Sequence, residues 1–230
     1  MDTINKIKKL GLWIFLITFI SVNVCLILSQ SFEFREHDVP SPGNYYGDLK
    51  IYNIGDAIAD KSSEWIIPYL DGTSSISRVV RVFPNNILFK LSMFVTGILL
   101  IRYWLLNKKL IEDLKIKETA TNKMIFFGIC SAIFLIIHSI FLGIKFDIAI
   151  YKLFRRIILL LFILMEITAQ FYLIKIFYKN KDLIEKFINI KILNIKKMLV
   201  YLLIITAALI LPFLPFANLK ILKHALEWNY

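Results

Sequence analysis

Glu166 is the residue in this chain whose type and position most demand a chemical account. It stands near the middle of an otherwise apolar run, RRIILLLFILMEITAQFYLIK. A carboxyl group at such a depth is costly unless it is protonated, paired or turned toward a wet cavity, which makes it a functional candidate by default. At about 100° per residue, Arg155, Phe162, Glu166, Gln170 and Leu173 share one helical face, and that face is predicted to point inward. His138, in the preceding apolar run, is the natural mobile-proton partner, because imidazole titrates near neutral pH. The depths disagree, however. In an antiparallel hairpin turning near Ile148, His138 comes opposite about Ile158, so a Glu166–His138 contact needs another angle or an intervening water. The plainer readings are a carboxyl that serves packing and a histidine satisfied by an interior hydrogen bond.

Little else in the sequence suggests chemistry. Cys25 and Cys130 are the two cysteines, and both fall inside apolar runs. They supply neither a disulfide framework nor metal-ligand spacing, and they read as small buried hydrophobes. Eight glycines are scattered without a phosphate-cradling pattern. The reading therefore contains no catalytic set, no metal site and no cofactor.

The elements that must position Glu166 follow from hydropathy. Of 230 residues, 58% are hydrophobic, and mean hydropathy is +0.67. Five apolar runs, at about 10–29, 87–106, 124–144, 157–177 and 198–216, are each long enough to cross the hydrocarbon as a helix. Alternation with period 2 is absent, which argues against a transmembrane barrel. The expected architecture is all-α: a single membrane domain over 1–230, built as a bundle of five transmembrane helices, with a long outer loop at 30–84. The first run follows Lys6, Lys8 and Lys9 as a signal peptide would. Its core is too long for that role and no clear small-residue cleavage site follows, so it is read as a retained helix.

The formal charge of +11 would suggest nucleic acid in a soluble protein. Here the excess lies in short links between apolar runs, where membrane topology places it, and nucleic acid is not expected. Segments 1–9, 107–122 and 179–197 hold 13 Lys/Arg in 44 residues, whereas 30–84, 143–156 and 217–230 hold 11 in 83. The bias places the N-terminus inside. Abundant Ile, Lys and Asn favour a bacterial inner membrane over a eukaryotic one. Lys90 and Arg102, near the ends of the second run, are expected to snorkel. Thr18, Asn23 and Thr206 are expected to bridge helices.

The outer loop opens with a turn-rich stretch around Pro40–Gly43. Ile51, Ile54, Ile58 and Trp65 then recur at roughly helical spacing, as either a helix on the membrane surface or a cap over the bundle. Trp65 suits the headgroup level. Asp71-Gly72 signals a turn. Arg78 and Arg81 are spaced to hold a lipid phosphate or to pair with Asp71; the plainer reading, slightly favoured, is a solvated pair that leaves topology unchanged. Pro84-Asn85-Asn86 opens the second membrane helix, with Asn supplying a capping oxygen.

These residues carry a resemblance. A Pro68-Tyr69-aliphatic segment, an Asp71-Gly72-Thr73 turn, and Pro84 followed five residues later by Phe89 resemble the DRAM family (damage-regulated autophagy modulators, with SFK-type and GPI-remodelling relatives). Asn85 and Asn86 stand where the family has Glu and Ser, and Tyr151–Arg156 replaces its His-Asp. Glu227-Trp228 matches the pair that opens the family's sixth helix; Tyr230 follows two residues later, so the reading is either a five-helix variant or a sequence cut short before a sixth helix. The resemblance implies a non-enzymatic protein that binds or organises membrane lipids or scaffolds partners, as a homo-oligomer or with another membrane protein. Two other classes stay open: a small transporter or channel subunit lined by Glu166, Gln170 and His138, and a membrane-embedded lipid enzyme using Glu166 or His138 as a base.

Overall fold

The structure is a computed structural model and describes residues 2–31, 69, 76–80, 83–142 and 149–210. The described residues are helical throughout, apart from turns and links. In chain order the helices are α1 (Asp2–Ser31), α2 (Ile76–Val79), α3 (Asn85–Asp113), α4 (Ala120–Phe141), α5 (Ala149–Lys179), α6 (Lys181–Ile184) and α7 (Ile190–Ile210). Four of them, α1, α3, α4 and α5, contain stretches long and apolar enough to cross a membrane. The fifth expected run begins within α7, and its last residues lie outside the described ones.

Each long helix overruns its apolar run. α1 starts at Asp2, α3 continues to Asp113, α5 starts at Ala149 and α7 starts at Ile190 within the expected charged link. Hydropathy marks where lipid begins. The backbone ladder stops only where capping or turn geometry stops it. At the end of α3 that geometry is a Schellman motif: Lys115 N–H donates to Glu112 O and Ile116 N–H to Ile111 O. Lys115 takes the left-handed conformation, with φ 55°. Ile111 and Ile116 are both buried, which supplies the apolar contact that accompanies the motif.

Successive long helices pack antiparallel. Cys25 of α1 meets Asn85 of α3, and Gly11 lies beside Tyr103. Gly97 of α3 faces Ile136 of α4. Between α4 and α5, Phe141 meets Phe154 edge-on at 5.4 Å, and Phe127 stacks on Tyr172 at 5.9 Å. Phe171 of α5 meets Tyr201 of α7 at 6.2 Å, and Tyr178 hydrogen-bonds Asn194. Small residues line these seams: Ser131, Ala132 and Ser139 of α4 are buried, which lets backbones approach closely. Large apolar side chains such as Phe15, Phe19, Leu91, Phe94 and Phe126 face outward. A bundle with an apolar exterior and small residues inside is built for lipid as solvent.

Two expectations are corrected. The α3 N-terminus has no side-chain cap; Pro84 holds the cap position, and Asn85 instead turns its amide to Cys25 O (2.9 Å) and Val79 O (3.1 Å). Thr18 donates to Ile14 O of its own helix rather than across the bundle, and Thr206 donates to Leu203 O. Asn23 bonds beyond its own helix, but to the 30–84 segment: its Oδ1 accepts from Tyr69 Oη at 3.1 Å. Tyr69 and α2 are thereby folded against α1 and α3, with Val79 and Val80 buried beside Phe89 and Cys25.

Candidate functional site

Glu166 lies where α3, α4 and α5 meet. Gly128 makes this meeting possible. A Cβ at that position would stand 2.4 Å from Trp104 Cδ2, so the fully buried indole of α3 lies directly against the α4 backbone. Ser131, three residues along the same face of α4, is fully buried beside it. From α5, Glu166 enters between them.

All three neighbours donate to its carboxyl group. Ser131 Oγ is 2.6 Å from Oε2, Trp104 Nε1 is 3.3 Å from Oε2, and Gln170 Nε2 is 2.9 Å from Oε1. Helical geometry makes Gln170 the nearest neighbour one turn on. The donors replace water as partners for a carboxyl group at membrane depth, which is the condition for keeping it there.

Ser131 has one hydroxyl proton and two acceptors, since Gly128 O is also only 2.8 Å away. Its hydrogen bonding therefore depends on the state of Glu166. Toward a carboxylate, the Ser131 O–H donates to Glu166. Toward a carboxylic acid, Glu166 donates to Ser131 Oγ, and Ser131 donates to Gly128 O. Gln170 Oε1 is buried and has no hydrogen-bond partner among the described residues. A half-turn of that amide would exchange its donor for this acceptor.

His138 does not join this group. It lies beside Arg155, toward the other end of the α4–α5 pair, and its Nδ1 and Arg155 Nε are buried without partners. Of the family-motif positions, Pro84, Asn85, Asn86 and Phe89 open α3, and Asn85 and Phe89 are buried at the junction with α1 and α2. Arg78 falls within the backbone of α2. Trp65, Asp71, Arg81, Glu227 and Trp228 lie outside the described residues. Sequence reading missed Trp104, Ser131 and Gly128. Their apolar or small character hid them, although a Gly three residues before a Ser on one helical face was a readable sign of a close helix approach.

An all-helical bundle with four apolar spanning helices and a tethered intramembrane carboxyl defines a multi-pass integral membrane protein. Comparison with protein-family models, curated proteins and solved structures returns no match.

Proposed function

We propose that this chain is a non-enzymatic, membrane-organising protein in the manner of the DRAM family. In this reading it binds membrane lipids and scaffolds a homo-oligomer or another membrane protein. The supporting observation is that Glu166 spends its hydrogen-bonding capacity on side chains of three helices. A carboxyl used this way ties a bundle together. In this reading the N-terminus is cytoplasmic, which the lysine-rich segments support, and the membrane is a bacterial inner membrane, which the abundant Ile, Lys and Asn support.

A second reading is a small proton-coupled transporter. It draws on the state-dependent bonding of Ser131 and on the partnerless Gln170 Oε1. Reconstitution into vesicles containing a pH-sensitive dye separates the two. An organising protein gives no flux above empty vesicles, in wild type or in Glu166→Gln. Flux in wild type that disappears in Glu166→Gln replaces the organising reading with the transporter.

A further inference from the structure

We infer that residues 179–197 form a docking surface for anionic phospholipid headgroups. Three segments converge at that end of the bundle. Ile4 and Ile7 of α1 pack on the same apolar cluster as Leu110 of α3, Ile116 of the α3–α4 link, Ile184 of α6 and Leu193 of α7. The three segments, 1–9, 107–122 and 179–197, carry 13 Lys and 6 Asp/Glu, and all their basic residues are lysines.

Segment 179–197 has a two-sided construction. Ile184 and Leu193 are buried and fasten it to the bundle. Leu183, Phe187, Ile192 and Ile195 are exposed, at 45%, 40%, 61% and 57%. Among them stand the exposed lysines Lys181, Lys186 and Lys191, which have no ion-pair partner among the described residues. Lys179 is engaged differently, in a 2.7 Å bridge to Glu118, and Lys197 lies 4.3 Å from the Tyr178 ring centroid.

An acidic protein or a nucleic acid would complement the lysines and leave the aliphatic side chains in water. A bilayer surface complements both, because acyl chains take the apolar side chains while headgroup phosphates take the ammonium groups. The segment also follows directly from the end of α5, a membrane-crossing helix, which sets it at headgroup depth. This inference rests on the lipid-organising reading and adds the headgroup class and the place.

The test uses the full chain in vesicles of mixed phosphatidylglycerol and phosphatidylcholine. The protein is released in mild detergent and its retained lipids are counted by mass spectrometry. Wild type is expected to retain phosphatidylglycerol above its bulk share. Lys181→Gln/Lys186→Gln/Lys191→Gln should lower that preference by about five-fold per lysine at low salt, and the corresponding Arg substitutions should keep it. An unchanged preference in the Gln variant overturns the inference. A preference lost instead in Arg78→Ala/Arg81→Ala overturns the placement and leaves the lipid-organising reading standing. Retention of neither phospholipid by wild type overturns both.

Discussion

Trp104 lies against Gly128 so closely that one added methyl group has nowhere to go: its carbon would stand 2.4 Å from Trp104 Cδ2 and 2.5 Å from Cγ. The obstacle is a rigid bicyclic ring with no exposed surface, so it cannot swing aside as a flexible side chain would. Gly128→Ala is expected to destabilise the bundle by about 1–3 kcal/mol, the range for overpacking a well-filled core. It should also move the indole N–H away from Glu166. Thermal unfolding in mild detergent and the tryptophan emission of the folded protein report the two effects. An unaltered melting temperature would mean that the helices separate there at little cost.

Removing the Glu166 carboxyl strands its donors. In Glu166→Ala, Trp104 Nε1, Ser131 Oγ and Gln170 Nε2 lose their shared acceptor. Each buried polar group left unsatisfied costs about 1–3 kcal/mol, although Ser131 keeps Gly128 O as an alternative. Glu166→Gln behaves differently. Its carbonyl oxygen can accept from Ser131 and Trp104, and its NH2 can donate to a turned Gln170 Oε1. The Gln variant should therefore melt within about 1 kcal/mol of wild type and the Ala variant well below it. Equal losses in both would show that the charge itself, rather than hydrogen bonding, holds the helices.

Asn85 joins three segments through one amide, and its side chain is fully buried. Asn85→Ala should cost about 1–3 kcal/mol by leaving Cys25 O and Val79 O with weaker bonding. Asn85→Asp should cost more, because a carboxylate would face two carbonyl oxygens where the amide donated. Limited proteolysis between α1 and α3 should accelerate in the same order. The reverse order would mean that the Asn85 amide is not the donor to both carbonyls.

Lys115 holds a conformation that a side chain disfavours. Lys115→Gly keeps the Schellman geometry and removes the Cβ contact, so it should stabilise the α3 terminus by about 1 kcal/mol. Chemical unfolding of the detergent-solubilised protein measures this, and destabilisation would show that the Lys115 side chain makes a stronger contact than its backbone costs.

The apolar runs of this sequence determine that it is helical and belongs in a membrane. A stretch of some 20 apolar residues has few other ways to satisfy its backbone in lipid. The prominence of Glu166 was legible for the same reason: a carboxyl at that depth needs partners. So was the unequal distribution of lysine among the links. Helix ends were not legible, because hydropathy records the lipid boundary while Lys115 and its neighbours stop α3 through backbone geometry. Nor were the partners of Glu166 on other helices, although Gln170, one turn along its own face, was. Antiparallel spacing already set His138 opposite about Ile158, near Arg155 where the structure places it, but spacing alone did not single out Ser131 as the residue of α4 that reaches Glu166. The third partner, Trp104, reaches the carboxyl because Gly128 lacks a side chain. That depends on the separation of two helices in space, which tertiary packing alone decides.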